Sequence, residues 1–277
     1  CSYQEIFFGA VCAKTLENKI IRILHYKLFL ILTVFFQFHC SETEKNPKNT
    51  FVVATYADVK DWDPATAFSL EVFPMSNMYE PLLWYDAGSK PGKFVPGLAI
   101  SYSKSKDGLT WTFNLRDNVF FHDGTKFDSQ AVKFVVERNK RLNGGASYIW
   151  SYVEKIIINN PYQITFILTT PVPFDKIVSS QYGAWMYSPF IDSVSKDSLM
   201  NGFGSGTGPY QLKKWVRNKY ILLEKFDNYW KGWDKTNHYE SILFQIASES
   251  STRLQMIESG IADYAVLIPN QLLSRLE

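Results

Sequence analysis

The stretch GFGSGTGPYQLKKWVRNKYILLEKFDNYWKG, residues 202–232, decides the fold of this chain. It contains a glycine-rich turn, a β-forming run over residues 210–216, a polar reversal at residues 217–219, a second β-forming run over residues 220–225 and an Asn-Tyr-Trp sequence. Two β-forming runs separated by a short polar segment predict a β-hairpin. The other predicted strands and helices precede and follow this hairpin in the chain.

A glycine-rich turn can also hold a nucleotide phosphate, and the sequence argues against that alternative. A phosphate cradle needs a helix N-terminus with free N–H groups, and it closes with a Lys-Ser or Lys-Thr pair. Here Pro209 follows Gly208, a strand pattern comes next, and no such pair is present. The pattern therefore favours a turn between strands over a nucleotide site.

Length and composition restrict the class of protein. The chain has 277 residues, of which 46% are apolar and 20% charged, so it can bury a substantial core as one or two domains. The formal net charge is only +2, and no basic block dominates a segment. A nucleic-acid partner is therefore not expected.

Cysteine and histidine placement excludes several kinds of site. The three cysteines are Cys1, Cys12 and Cys40, so everything after residue 40 lacks a thiol for a zinc site, a disulfide framework or a nucleophile. His122 and His238 stand far apart and outside any H-E-x-x-H spacing. The sequence therefore predicts no metal site and no cofactor.

The N-terminal region has the pattern of an export signal. Residues 19–39 combine a basic segment with an apolar run over residues 28–38 that is too short to span a bilayer comfortably. Cys40 follows and begins a polar tether over residues 40–50. This arrangement resembles the start of a bacterial lipoprotein, in which the cysteine is acylated and anchors the protein to the membrane.

Two features of this region leave alternatives open. Phe38 and His39 stand where lipoprotein cleavage sites favour small residues, so an ordinary signal peptide or an uncleaved anchor is the alternative. Residues 1–18 fit neither the signal nor the body, and the first Met is Met75. We expect residues 1–18 to lie upstream of the true translation start.

The body alternates short strands and helices. Asp128 is placed to N-cap a helix, and residues 110–116 show the cleanest period-two alternation. Helices are predicted over residues 76–83, 129–142, 174–180 and 250–260. Strands are predicted over residues 51–56, 98–102, 110–116, 153–158, 163–168 and 241–247, in addition to the hairpin.

Several segments, in this order, resemble the extracytoplasmic solute-binding proteins of peptide and nickel ABC importers, family 5. The segments are W-D-P at residues 62–64, N-M-Y-E-P-L-L-W-Y-D at 77–86, F-H-D-G-T-K-F-D-S-Q-A-V at 121–132, G-T-G-P-Y with its hairpin, and S-T-R-L-Q-M-I-E-S-G-I-A-D at 251–263. Trp62, Pro81 and Ala131 depart from the usual residues of the family. The resemblance covers residues 51–263.

The resemblance implies an α/β (mixed α+β) fold. Residues 51–66 and 167–262 would form lobe I of a type II periplasmic-binding-protein-like structure. Residues 67–166 would form an inserted β-rich subdomain, and residues 263–277 would begin a second lobe that is largely missing. The chain would then be the N-terminal half of a two-lobed protein.

The implied function is binding without chemistry. Such a protein captures oligopeptides or a related small solute outside the cytoplasmic membrane and delivers them to an ABC permease in that membrane. We expect a monomer that is not an enzyme. Nickel, an oligosaccharide or an opine could replace the peptide as ligand.

Six positions are carried over from the family as ligand-binding candidates: Phe68, Ser69, Leu70, Tyr148, Trp185 and Tyr187. The first three follow the Asp-Pro turn, where extended backbone can hydrogen-bond a peptide as a strand does. Tyr148 matches an aromatic wall position, and the last two match a loop that leads back toward the hinge. Ordinary core packing is the alternative for each.

Two other classes of function are weighed against binding. One is an extracytoplasmic hydrolase on a β-rich scaffold, suggested by the adjacent pair His122-Asp123; no nucleophile motif such as G-x-S-x-G accompanies the pair. The other is a lipoprotein with a structural role. The first predicts an acid, base or nucleophile constellation, and the second predicts no ligand effect on stability.

Overall fold

A computed structural model describes residues 49–200, 203–234 and 238–273. The predicted upstream segment at residues 1–18, the signal peptide at 19–39 and the candidate lipidation site Cys40 all lie outside the described residues.

The described chain contains both strands and helices, as predicted, and several of the strands follow one another directly. In order they are β1 (Thr50–Thr55), α1 (Val72–Met75), β2 (Leu83–Asp86), β3 (Lys93–Pro96), β4 (Ala99–Lys104), β5 (Thr110–Leu115), α2 (Ser129–Leu142), a 3-10 helix (Ser147–Tyr152), β6 (Val153–Asn160), β7 (Gln163–Leu168), α3 (Phe174–Ile177), a second 3-10 helix (Pro189–Ser193), α4 (Lys196–Met200), β8 (Tyr210–Val216), β9 (Tyr220–Lys225), β10 (Ser241–Ile246), α5 (Ser250–Glu258), β11 (Tyr264–Ala265) and α6 (Asn270–Leu273).

The predicted hairpin is confirmed as β8 and β9, and it continues into a five-stranded sheet. The strand order is β11-β1-β10-β9-β8. β8, β9 and β10 are antiparallel, whereas β1 runs parallel to both β10 and β11. Asn218 closes the hairpin turn with a φ of 58°, a left-handed conformation that Asn tolerates. β1 therefore lies inside the sheet with a parallel neighbour on each side.

A second, wholly antiparallel sheet has the order β4-β5-β7-β6. The alternation predicted for residues 110–116 is confirmed, because Trp111, Phe113 and Leu115 are buried and the residues between them are less so. The separate hairpin β2–β3 was not predicted.

The helix predicted over residues 129–142 is confirmed as α2. The Asp128 side chain accepts a hydrogen bond from the Ala131 N–H at 2.9 Å, which satisfies one of the free donors of the first turn. Asn143 ends the helix in the left-handed conformation, with a φ of 48°.

The helix predicted over residues 76–83 is wrong. The only helix in this part of the described chain is α1, and β2 begins at Leu83. The carbonyls of Asn77 and Met78 instead accept hydrogen bonds from the N–H groups of Tyr210 and Gly208, at 3.0 and 2.9 Å. Pro81 also has no N–H to continue a helix. Contacts with the glycine-rich turn therefore override the local helical preference.

This approach of two backbones explains one of the glycines. A Cβ atom on Gly206 would lie 1.9 Å from the carbonyl oxygen of Met78, which no side chain could tolerate. The glycine-rich turn therefore allows residues 204–210 to pack closely against residues 77–79.

Glu80 joins the same turn to the Asn-Tyr-Trp sequence. Its buried carboxylate accepts hydrogen bonds from the Thr207 hydroxyl at 3.0 Å, the Tyr229 hydroxyl at 2.9 Å and the Trp230 Nε1–H at 2.7 Å. Burial raises the pKa of Glu80 above its ordinary value, although these hydrogen bonds act in the opposite direction. The network holds both ends of residues 202–232, the organising stretch of the chain.

One core extends through both large sheets. Val53 and Ile221 of the five-stranded sheet belong to the same buried cluster as Trp111 and Phe166 of the four-stranded sheet. A smaller cluster, which includes Val52 and Met256, packs α5 against the other face of the five-stranded sheet. The five-stranded sheet is therefore covered on both faces.

The sheets differ in two places from the predicted domain limits. β7 continues to Leu168, past the expected end of the subdomain at residue 166. β11 belongs to the five-stranded sheet, although residue 263 was expected to begin a second lobe. The reason is that the Asp263 N–H donates to the Val52 carbonyl, and the Asp263 carboxylate accepts from the Val52 N–H.

Candidate functional site

The carboxyl ends of three parallel strands meet at one edge of the five-stranded sheet. Ligands of open α/β sheets bind beyond such ends, where connections leave a central strand toward both sides. Here β1 lies between β10 and β11, and α5 connects these two neighbours. The segment that follows β1, residues 56–70, is therefore the strongest candidate for a ligand site.

Arg253 fixes the ends of β10 and β11 beside this segment. Its buried guanidinium donates to the carbonyls of Ala247, Ser248, Val266 and Leu267 at 2.7 to 2.9 Å. Its charge also lies 5.8 Å from the ring of Tyr56. One side chain therefore satisfies four carbonyls at the edge where the site lies.

The segment after β1 is attached to the hairpin through Asp58. The Asp58 carboxylate accepts from the Trp215 Nε1–H at 2.9 Å and from the Asn218 N–H at 2.7 Å. Trp62 packs edge-on against Trp215, with ring centroids 5.6 Å apart.

A buried ion pair attaches the same segment to α2. Arg138 donates from both Nη atoms to the two carboxylate oxygens of Asp63, at 2.7 Å each, and from Nε to Asp192 at 2.7 Å. Burial alone would raise the pKa of Asp192, but hydrogen bonds from Arg138 and Arg141 outweigh it and lower that pKa. The paired geometry fixes the direction in which the chain leaves the Asp-Pro turn.

Two further loops pack against residues 66–69. A Cβ atom on Gly145, whose φ is +52°, would lie 2.8 Å from the Thr66 carbonyl, so this contact requires glycine. The Tyr182 ring packs against Phe68 at a tilt of 58°, with centroids 5.2 Å apart, and its hydroxyl donates to the Ser69 carbonyl at 2.6 Å.

The candidate residues Phe68, Ser69 and Leu70 form the free part of this otherwise attached segment. Phe68 is 55% exposed and Ser69 is also exposed, whereas Leu70 is half-buried. In the part of the chain that the structure describes, the N–H groups of these three residues donate to no protein acceptor. A ligand with carbonyl groups could accept from them.

Trp185 and Tyr187 lie beneath this surface. Both side chains are buried, and the ring of Trp185 packs between Tyr79 and Tyr182 at 5.9 Å from each. The Tyr187 hydroxyl donates to the Asn139 side-chain oxygen at 2.7 Å. Neither ring presents surface to solvent, because Trp185 packs among other aromatic rings and Tyr187 packs against Phe134 and Asn139 of α2.

Tyr148 lies apart from the Phe68–Tyr182 pair. It follows the glycine loop that contacts Thr66, and its side chain is 65% exposed. Within the described residues, no ring contact joins it to either partner of the pair. The structure thus brings Phe68, Ser69 and Tyr182 together and leaves Tyr148 near the edge of the arrangement.

Sequence reasoning missed the residues that support the site. Asn139 occupies a position of α2 where the buried stripe calls for an apolar residue, and its amide donates to the Gly183 carbonyl at 2.7 Å. A polar residue in that stripe was the available signal. Tyr182 belongs to the same aromatic loop as the candidates Trp185 and Tyr187, but nothing in the sequence indicates its contact with Ser69, which lies 113 residues earlier.

The pair His122-Asp123 was the basis of the alternative hydrolase hypothesis, and within the described residues no hydroxyl group is hydrogen-bonded to the His122 ring. The neutral imidazole bridges two glycines of the organising stretch: Nε2–H donates to the Gly208 carbonyl at 2.9 Å, and Nδ1 accepts from the Gly206 N–H at 3.3 Å. Burial lowers the pKa of His122 from 6.5 to about 4, against the opposing effects of the Gly208 carbonyl and the Asp123 charge. The histidine is a structural residue.

Two kinds of feature are absent from the described residues. No three His, Cys, Asp or Glu side chains in residues 49–200, 203–234 and 238–273 come close enough to hold a metal ion. None of the helices in these ranges has the length and apolar character needed to cross a membrane.

A mixed sheet with a central parallel strand, joined to an antiparallel insertion, is the architecture of type II periplasmic binding proteins. The peptide-bound protein DppA of Helicobacter pylori superposes with a TM-score of 0.70 at 23% identity, over 82% of this chain and 48% of that one. NikZ of Campylobacter jejuni, solved with Ni(L-His), gives a TM-score of 0.69 at 24% identity, over 83% and 45% of the two chains. The predicted fold class is confirmed.

The sequence comparison identifies the family. Residues 93–277 match the bacterial extracellular solute-binding proteins, family 5 Middle, and the chain belongs to this family. A glutathione-binding protein GsiB of Salmonella paratyphi A is 31% identical over 229 residues, which cover 79% of this chain and 42% of that protein. The chain thus spans about half the length of the relatives that it matches. The resemblance inferred from the sequence is confirmed.

Proposed function

We propose that this chain forms one side of the solute site in the binding component of an ABC importer, and that the solute is a short peptide or a peptide-like molecule. Membership of the solute-binding family supports the transport role. The named ligands of similar proteins are a tetrapeptide for DppA, glutathione for GsiB and a nickel–histidine complex for NikZ.

The observation that carries the peptide proposal is the backbone of residues 68–70. Three successive N–H groups there have no acceptor among the described residues, and they lie beside the exposed ring of Phe68 and the half-buried ring of Tyr182, in a segment that is attached at both ends. The carbonyls of a peptide can accept hydrogen bonds from such N–H groups, and its side chains can pack on Phe68 and Tyr182. Tyr148 would extend this wall, and Trp185 and Tyr187 would support it from below.

The setting of this site is part of the same proposal. A solute-binding protein works outside the cytoplasmic membrane and passes its solute to a membrane permease. We include in the proposal a lipid anchor on Cys40, a monomeric state, no enzymatic activity, and a second lobe that closes over residues 68–70. A ligand that binds the closed conformation more tightly would shift the open–closed equilibrium toward closure.

Backbone amide chemical shifts test the proposal directly. The ¹⁵N-labelled chain is titrated with the tetrapeptide Ser-Thr-Ser-Ala, reduced glutathione and nickel–histidine in separate experiments. We expect the amide signals of Phe68, Ser69 and Leu70 to move most with one of the two peptide-like probes. A single lobe contacts only one side of the solute, so the expected Kd is weak, on the order of millimolar.

A conservative variant checks that the loop geometry matters. Tyr182→Phe keeps the ring against Phe68 and removes only the hydroxyl that holds the Ser69 carbonyl, so we expect the Kd to rise about fivefold. Tyr152→Phe is the matched control, because Tyr152 is a partly exposed tyrosine outside this loop. Peptide binding that leaves the amides of residues 68–70 unmoved would disprove the proposed site.

A further inference from the structure

A second concave region lies between residues 118–124 and residues 226–229. It encloses about 540 Å³ and shares no lining residue with the site around Phe68. This volume lies within the range of about 300 to 1,000 Å³ that is usual for small-molecule sites. Its walls include Asn118, Phe120 and His122 on one side and Phe226, Asn228 and Tyr229 on the other.

The floor of this groove is held rigidly and carries no charge. The His122 ring meets Phe226 edge-on at 4.9 Å, while both of its nitrogens are engaged with Gly206 and Gly208. The Tyr229 hydroxyl is likewise engaged with Glu80. These side chains therefore present ring surface to the groove, and their polar atoms are already satisfied.

The rim, in contrast, has polar groups that are unused. Asn118 and Asn228 are exposed, and their side-chain amides make no hydrogen bond within the described residues. Phe120 lies between them in the lining and is 43% exposed, although it is a large apolar residue. Two free amides beside an exposed ring and a ring-lined floor are a pattern typical of ligand pockets.

We propose that this groove binds a small neutral molecule that carries an amide next to an aromatic or other apolar ring. The ring would pack against Phe120 and Phe226, and the amide would exchange hydrogen bonds with Asn118 and Asn228. A side-chain amide both donates and accepts, so another amide can exchange one bond of each kind with it.

Charge restricts the ligand further. None of the side chains that line the groove is an acid, a Lys or an Arg. Asp117, Asp123 and Asp227 adjoin lining residues in sequence, but so does Lys225, which pairs with Asp227 at 3.7 Å, so the surroundings favour neither sign of charge. The expected ligand is therefore uncharged, and it differs from a peptide with free termini.

The test uses N-acetyl-L-phenylalaninamide as the probe and the whole chain as the protein. We expect saturable binding with a Kd of about 1 mM, by calorimetry or NMR titration. The amide signals of residues 118–124 and 226–229 should move, and those of residues 68–70 should not. This readout in the unmodified protein does not depend on any variant, and it separates this proposal from the proposed peptide site.

Two variants and one control complete the test. Phe120→Ala should raise the Kd about fivefold through the lost ring contact, and Asn228→Ala should raise it about fivefold through the lost hydrogen bond. Phe190→Ala is the matched control, because Phe190 is 49% exposed and lies outside the groove. The proposal is overturned by absence of saturable binding, by binding that moves other amides, or by equal affinity in all three variants.

Discussion

Acid should destabilise this protein through His122, and the effect can be calculated. The neutral ring donates from Nε2 and accepts at Nδ1, so protonation places a second proton against the Gly206 N–H. The pKa falls from 6.5 to about 4 in the folded chain because the ring is buried. A histidine with a lowered pKa contributes stability above its unfolded value, and this contribution is lost as the pH falls toward the folded value.

The size of the loss follows from these two values. The full difference between 6.5 and about 4 corresponds to about 3 kcal/mol. Between pH 7.5 and pH 5 the linkage relation gives a loss of about 2 kcal/mol in the free energy of unfolding. Glu80 acts in the opposite direction over the same range, because its pKa is raised. A comparison with a variant at each pH therefore isolates the histidine.

The assay is urea unfolding followed by tryptophan fluorescence at pH 7.5, 6.0 and 5.0. His122→Gln keeps an N–H donor for the Gly208 carbonyl but cannot gain a proton, so its stability should change about 2 kcal/mol less over this range than that of the unmodified chain. His238→Gln is the control, and it should retain the full dependence on pH. If His122→Gln loses as much stability in acid as the unmodified chain, then the reasoning from the buried ring is incorrect.

Two further predictions concern other buried charges. Arg138→Ala should lower the free energy of unfolding by about 3 to 5 kcal/mol in chemical denaturation, because it leaves the Asp63 carboxylate buried without its partner. Arg141→Ala, at an exposed pair with Asp192, should lower it by less than about 1 kcal/mol. Similar losses for both variants would contradict the assigned difference. Because the pKa of Glu80 is raised, its contribution to stability is present in acid and is lost as the pH rises through the pKa of the folded state. Glu80→Gln should therefore reduce the loss of thermal stability between pH 5 and pH 8. Parallel melting-temperature profiles for Glu80→Gln and the unmodified chain would show that this carboxyl does not titrate in that range.

The elements that sequence reasoning predicted well are those with local determinants. The helix α2 has a capping Asp128 before it and a left-handed Asn143 after it, and its predicted limits agree with the structure. The hairpin β8–β9 has its own polar turn, and β5 has a clear period of two. In each case the neighbouring residues along the chain specify the element.

The predictions that failed depended on distant partners. Residues 76–83 have the composition of a short helix, but Asn77 and Met78 bond to a turn about 130 residues later in the chain. A different error is the helix predicted over residues 174–180, which ends at Ile177, where the contacts of Ser180 are with Ile177 and Tyr182 nearby in the chain. The resemblance to a family supplied Phe68, Ser69 and Leu70 as candidates, but the contact of Tyr182 with Ser69 required the structure.

The attachments of residues 56–70 explain why a short surface segment can serve as a binding site. Asp58 ties the segment to the hairpin, Asp63 to α2, Thr66 to the glycine loop and Ser69 to Tyr182. Each contact uses a partner from a different part of the chain, so folding itself orders the segment. Because a ligand then has little backbone disorder left to remove, the free N–H groups of residues 68–70 can contribute more of their hydrogen-bond energy to affinity. The organising stretch of residues 202–232 therefore acts on the site at a distance, since it supplies the hairpin to which Asp58 is bound.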